Sequence, residues 1–239
     1  MSAMFEELDY APTPIGAISL RRRHILALKT DVIEILLGEE HLMSSLFTAS
    51  EVALADAGLR ALEGENLEIL IGGLGLGYTA QAALAHEAVS RLTVVDLLEP
   101  VIRWHREGLV PMKTELADDP RCQLVQGDFF GLAASEDGFD STHPARQYDA
   151  ILIDIDHTPD RLLHGGSKGF YTTEGFHKLQ RFLKPGGVMG LWSDEAPDAA
   201  ITARLATAFK EAWAEPVVFP NPLQDGREVT QAVYLGRKG

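Results

Sequence analysis

Leu67-Glu68-Ile69-Leu70-Ile71-Gly72-Gly73-Leu74-Gly75-Leu76-Gly77-Tyr78 is the stretch on which the fold turns. Leu67–Ile71 is a short apolar run ending in glycines, the pattern of a parallel strand buried on both faces. The glycines permit a tight turn and let backbone N–H groups approach a ligand that side chains would keep away. A helix from about Tyr78 to His86 completes a strand–turn–helix unit. A Gly-x-Gly-x-Gly run alone is a weak signal; this placement between strand and helix gives it weight.

The next strand, Leu92–Asp96, ends in an acid nineteen residues after Gly77. A carboxylate there can accept from both hydroxyls of a ribose. A third strand, Gln123–Gln126, runs into Gly127-Asp128-Phe129 at the same sheet edge. An acid there can accept from an adenine amino group while the adjoining backbone N–H meets a ring nitrogen, a feature a dinucleotide fold does not need. The expected cofactor-binding residues are therefore Gly73, Leu74, Gly75, Leu76, Gly77, Tyr78, Asp96, Leu97, Asp128 and Phe129. Helix capping is the competing use of Asp96 and Asp128.

Alternation of strands and helices continues downstream. A strand Tyr148–Asp154 leads to Asp156, a helix runs from about Thr173 to Leu183, and Lys184-Pro185-Gly186-Gly187 reads as its stop. Val188–Trp192 is a strand, Asp198–Trp213 a helix, and Pro216–Phe219 and Val229–Leu235 are late strands. Such alternation predicts a parallel sheet covered on both faces. Upstream, Met1–Pro14 reads as a loose tail, and Ala17–Arg22, Asp31–Leu37 and His41–Ser44 as a small β-hairpin unit. Thr48-Ala49-Ser50-Glu51 is a capping box opening a helix to about Leu62. The division expected is residues 1–47, tail and β unit, and 48–239, a Rossmann-like domain. Gly131–Gln147 joins two strands where a helix would normally fit, and Thr158–Gly169 is a candidate lid past a strand's carboxyl end.

With 35 acidic against 21 basic residues the net charge is −14, a field that repels nucleic acid. The one dense basic run, Arg21-Arg22-Arg23-His24, alternates its side chains between two faces of a strand. Cys122 is the only cysteine, no apolar run reaches the roughly 18 residues of a membrane span, and the first residues lack a signal-peptide layout. A cytoplasmic protein without nucleic-acid or membrane partners is expected.

With these sites placed, the chain resembles the polyamine aminopropyltransferases, the spermidine synthase family, over about residues 16–195. The shared order is a small β unit, the glycine loop, Asp96, Gly127-Asp128, Tyr148-Asp149-Ala150-Ile151-Leu152-Ile153-Asp154, Phe170-Tyr171 and Lys184-Pro185-Gly186-Gly187. The resemblance implies an α/β fold: a Rossmann-like, seven-stranded methyltransferase-type sheet behind an N-terminal β-hairpin unit. It also implies S-adenosylmethionine or its decarboxylated form as donor. Family members are often dimers, which leaves a homodimer open.

Departures fall on the chemistry. Spermidine synthases have Gly-Gly-Asp-Gly in the loop, whose Asp holds the amine of the decarboxylated donor; the matching position here is Leu76. Their Tyr-His-Glu matches Ala49-Ser50-Glu51, their amine-binding Gln has no counterpart, and their Asp-x-x-Asp matches Asp154-Ile155-Asp156-His157. Asp154 and Asp156 are candidate catalytic acids that bind a cationic amine or take its proton, and His157 beside them is a further catalytic candidate. Tyr171 and Trp192 are candidates to flank the acceptor, with core packing as their other use. His157, Asp154, Asp156 and His164 match no compact metal spacing, so no metal is expected. The leading expectation is methyl transfer from S-adenosylmethionine to a small-molecule acceptor such as an amine. Aminopropyl or aminocarboxypropyl transfer in polyamine-type metabolism is the alternative, and a non-catalytic adenosyl-ligand sensor a further one.

Overall fold

The computed structural model describes residues 4–159, 161–163 and 165–239. The strand opened by Leu67 is β5 (Leu67–Gly72), and its apolar run is buried on both sides as its composition requires. Ile69 and Ile71 face one hydrophobic cluster, and Leu70 faces the other. Around it lie β6 (Val89–Asp96), β7 (Cys122–Gln126), β8 (Tyr148–Ile153), β9 (Leu183–Ser193), β10 (Glu211–Asn221) and β11 (Arg227–Arg237), in the order β10-β11-β9-β8-β5-β6-β7. β9, β8, β5, β6 and β7 are parallel, and β11 and β10 return antiparallel.

Helices cover both faces. On one side α1 (Ala49–Arg60), α2 (Tyr78–Ala85), α3 (Glu99–Arg106) and the short α4 (Glu115–Asp118) bury Leu54, Ala80, Trp104 and Leu116 against the sheet. On the other, α5 (Phe129–Ala134), α6 (Thr173–Gln180) and α7 (Ala199–Ala206) bury Phe129, Phe176 and Leu205. No helix among the described residues is long and apolar enough to cross a membrane.

Four strands precede this sheet: β1 (Phe5–Thr13), β2 (Gly16–Ile25), β3 (Thr30–Leu37) and β4 (Glu40–Ser44), antiparallel in sequence order. Residues 5–13, expected in a tail, pair with β2 along its length, Thr13 opposite Gly16 and Phe5 opposite Arg23. Pro12 obscured the strand, yet a proline is tolerated because β1 is an edge. The basic run lies in β2, and every member pairs within its own sheet: Arg21 and Arg23 with Glu34, Arg22 with Glu6, His24 with Asp31. Ile18, Leu20 and Ile35 join the same buried cluster as α1 and α2, so the small sheet packs directly on the large one.

Other boundaries moved. The expected helix from Asp198 to Trp213 stops at Ala206, because Glu211–Asn221 pairs with the whole of β11. Lys184-Pro185-Gly186-Gly187 falls inside β9 rather than after a helix that ends at Gln180. The expected loop 131–147 begins inside α5, capped by the Asp128 carboxylate accepting from Phe130 N–H. Thr48 makes no side-chain capping bond, so the capping box does not form.

One tie fixes the small sheet to the large. Asp9 of β1 accepts from the Trp104 indole N–H at 2.5 Å and from Arg103 at 2.6 Å, and Trp104 is 0% exposed. Asp9→Ala leaves a buried indole donor without its partner and is expected to cost about 1–3 kcal/mol in denaturant unfolding. An unchanged midpoint would refute the role given to this tie.

Candidate active site

The carboxyl ends of β5, β6 and β8 meet at one edge. Gly73 N–H donates to the Val95 carbonyl at 2.9 Å, and Asp154 N–H donates to the Gly72 carbonyl at 2.8 Å. Gly73 has φ +92°, and a Cβ there would run into the Asp154 carbonyl oxygen. Only glycine lets the loop lie that close to the end of β8.

Above this edge is a cavity of about 410 Å³, within the usual range for small-molecule sites. Gly73, Gly75, Asp96, Leu97, Asp128, Phe129, Asp154, Asp156 and Trp192 of the sequence-derived set line it. Asp96 accepts Leu74 N–H at 2.9 Å and Leu98 N–H at 2.8 Å. Burial pushes its carboxyl up, opposed by these backbone donors. Each oxygen is thereby oriented while keeping a free lone pair for a ribose hydroxyl. Asp128 combines its capping bond to Phe130 N–H with a place on the cavity wall.

The remaining loop residues are turned away. Leu76 is 0% exposed, and its N–H points to Met43 Sδ at 3.1 Å. Leu74 N–H is held by Asp96, and Gly77 N–H by the Leu74 carbonyl. Gly77 faces His105, Met112 and Leu116, and Tyr78 bonds to Ser45. None of these four lines the cavity.

The acids form a group that the sequence showed only in part. Asp154 is half-buried and accepts from Thr79 Oγ1 at 2.6 Å; burial pushes its carboxyl up, with the threonine bond opposing. Glu51, from the first turn of α1, also lines the cavity. Burial and then the neighbouring Asp154 charge push its carboxyl up. With the Asp154 charge acting on Glu51, the two carboxyls share a proton more readily than both ionise. Asp156, 1% exposed, accepts Leu163 N–H at 2.7 Å and Tyr171 Oη–H at 2.9 Å. Burial raises its carboxyl against these bonds.

Tyr171 therefore reaches the site through Asp156 and does not itself line the cavity. His157 lies behind the wall, Nε2 on Glu40 at 3.3 Å and its ring tilted against Trp192 at 6.4 Å. His164 lies outside the described residues. Within the expected lid, Thr158 bridges Arg161, and Leu163 is fastened to Asp156. Glu51 was missed as a site residue because its spacing from Thr48 imitates a capping box. The family's Tyr-His-Glu match was the signal that pointed to it. Thr79, Phe130 and the apolar residues of the small sheet had no local signal.

Because the Glu51 and Asp154 carboxyls titrate above their unfolded values, the folded state holds protons more tightly. The contribution of these two groups to stability is then greatest below about pH 4, where unfolded carboxyls titrate, and falls as pH rises through the raised folded values. Glu51→Gln should flatten that slope, gaining about 1–2 kcal/mol on wild type at alkaline relative to acidic pH. Denaturant midpoints across this range measure it, and a parallel pair of curves would disprove the shared proton. Gly73→Ala should lose at least about 2 kcal/mol through its backbone and the Asp154 clash. A wild-type melting temperature for that variant would exclude the close approach.

Residues 49–208 match the spermine/spermidine synthase domain. Polyamine aminopropyltransferase 2 of Pseudomonas aeruginosa is 31% identical over 163 residues, 66% of this chain and 44% of that protein. The polyamine aminopropyltransferase of Pyrobaculum calidifontis is 33% identical over 122 residues, 51% of this chain and 39% of that one. The chain thus spans less than half the length of these curated relatives. In fold it is similar to the spermidine synthase of Thermotoga maritima, with TM-score 0.70 and 17% identity over 98% of this chain and 72% of that one. Human methyltransferase-like protein 13, solved with S-adenosylhomocysteine, gives TM-score 0.57 and 17% identity over 80% and 82% of the two chains. With two-thirds of its residues matched by the domain, the chain belongs to the spermine/spermidine synthase family.

Proposed function

We propose that this protein is a transferase that moves an aminopropyl group from decarboxylated S-adenosylmethionine to an amine. The observation that carries the reading is the charge of the cavity. Glu51, Asp96, Asp128, Asp154 and Asp156 line it, and no Lys or Arg does so among the described residues. The decarboxylated donor is cationic at both sulfonium and amine, whereas the intact one adds a carboxylate that this wall would repel. The loop N–H groups best placed to hold such a carboxylate are committed: Leu74 to Asp96, Leu76 to Met43, Gly77 to Leu74.

Glu51 and Asp154 supply acids beside the loop where Leu76 cannot. Names borne by the relatives favour the same transfer, and no observation favours methyl transfer, so the order expected from sequence is reversed.

Asp96 would hold the ribose and Asp128 the adenine, leaving the sulfonium near Gly73 and Gly75. Attack by a neutral amine forms the N–C bond as the C–S bond breaks, and methylthioadenosine departs as an uncharged thioether. The proton lost by the amine passes to the Glu51–Asp154 pair, whose raised affinity for protons suits it to that step. Alignment of the two reactants is the protein's other contribution.

Calorimetry with the two donors and methylthioadenosine tests the assignment. The decarboxylated donor is expected to bind at least about tenfold more tightly than the intact one, a difference near 1.4 kcal/mol. Equal or reversed affinity would refute it. Asp96→Ala should abolish methylthioadenosine binding. Asp154→Asn should leave that ligand bound and lower turnover by roughly 10²–10⁴; loss of binding in both variants would contradict the separate roles.

A further inference from the structure

One wall of the cavity is left unused by the adenosyl frame. β2, β3 and β4 turn Ile18, Ile35, Leu37, Leu42 and Met43 toward it, and no polar side chain of the small sheet lines the cavity among the described residues. Met43 presses on Gly75, where a Cβ would lie 2.7 Å from its sulfur. Glu40, at the β3–β4 turn, reaches His157 at 3.3 Å, just past Asp154 and Asp156.

The carboxylates of the cavity are already allotted. Asp96 and Asp128 serve the nucleoside, and Glu51 and Asp154 serve the donor amine and the reacting nitrogen. Asp156, 1% exposed, has both oxygens bonded, to Leu163 N–H and the Tyr171 hydroxyl, and presents little surface to a ligand. A second ammonium at the far end of an acceptor would meet hydrocarbon, and a desolvated cation without a partner is strongly disfavoured. Methylene or aromatic surface at that end would instead be buried favourably.

We infer that the acceptor carries a single amine on an apolar body, an alkylamine or arylalkylamine rather than a diamine. This rests on the transferase reading above and adds the acceptor class.

Thioether release with the decarboxylated donor is to be compared for hexylamine and phenethylamine against 1,4-diaminobutane and 1,6-diaminohexane. The better monoamine is expected to exceed both diamines at least about tenfold in kcat/KM, the least that a charge left unpaired in an apolar site should cost. A smaller ratio, or a preference for a diamine, overturns the inference. Should no acceptor turn over, the same tenfold criterion applies to calorimetric affinity for the methylthioadenosine complex. Leu42→Asp, on the partly exposed part of the wall, should shift the ratio toward the diamine by at least about tenfold; an unchanged ratio also overturns it. Methylthioadenosine binding alone, which needs no acceptor, separates the two readings: its absence fails the donor site and the inference with it, whereas its presence with a diamine preference fails the inference only.

Discussion

The contact between Gly73 and the end of β8 is the constraint on which the site depends. β5 and β8 are parallel neighbours in register from Ile69 opposite Ala150 to Gly72 opposite Ile153. They diverge just where their chains turn. With no side chain at Gly73, the loop stays against the Asp154 backbone, and the Asp154 carboxyl is brought to Thr79 at the start of α2. The same packing sets Gly73 N–H on Val95, so the glycine loop, Asp96 at the end of β6 and Asp154 after β8 are fixed by neighbouring hydrogen bonds. Sheet order, rather than any one motif, makes the site.

That geometry concentrates negative charge where burial opposes it. Asp156 is buried and Asp96 and Asp154 are half-buried, and each carboxyl is raised by burial and partly relieved by its hydrogen bonds. Asp96 and Asp156 are relieved by backbone N–H donors, which fix their direction without neutralising them. Asp154 has the threonine bond and a carboxyl neighbour, Glu51, and this pair is the least satisfied of the group. A cation or a transferred proton relieves it most. The cost carried by the unliganded protein is thus largest at the Glu51–Asp154 pair.

The sheet was legible in the sequence because its strands are apolar on both faces and its turns are marked by glycine and acid. Each of those signals is local. What stayed hidden was set by distant partners. Phe5–Thr13 has the acids and proline of a tail and becomes a strand because β2 offers it an edge. Lys210-Glu211-Ala212-Trp213 has helical composition, yet pairing with β11 takes all of it from Glu211 onward. Glu51 has the spacing of a capping residue, and only the fold reveals that α1 opens onto Asp154. For the cofactor residues, strand–turn–helix context located the loop but not the direction of its amides. Those of Leu74, Leu76 and Gly77 are consumed inside the protein, which depends on Asp96, Met43 and the turn itself.

The small N-terminal sheet completes the argument about specificity. Its inward face shares a core with α1, α2 and α3, and its outermost strand is held by the bonds of Asp9 to Trp104 and Arg103. A wall anchored in this way cannot withdraw from the cavity without exposing Ile18 and Ile35, each buried at a cost of about 1.5–3 kcal/mol to uncover. Its chemistry therefore acts as a fixed filter on what shares the cavity with the acids. Asp96, Asp128 and Asp154 stand on the large sheet, and of the small sheet's wall Met43 reaches the glycine loop, at Leu76 N–H and Gly75. Glu51 and Asp154, on α1 and after β8, lie outside that wall, so a substitution in it leaves both carboxyls in place.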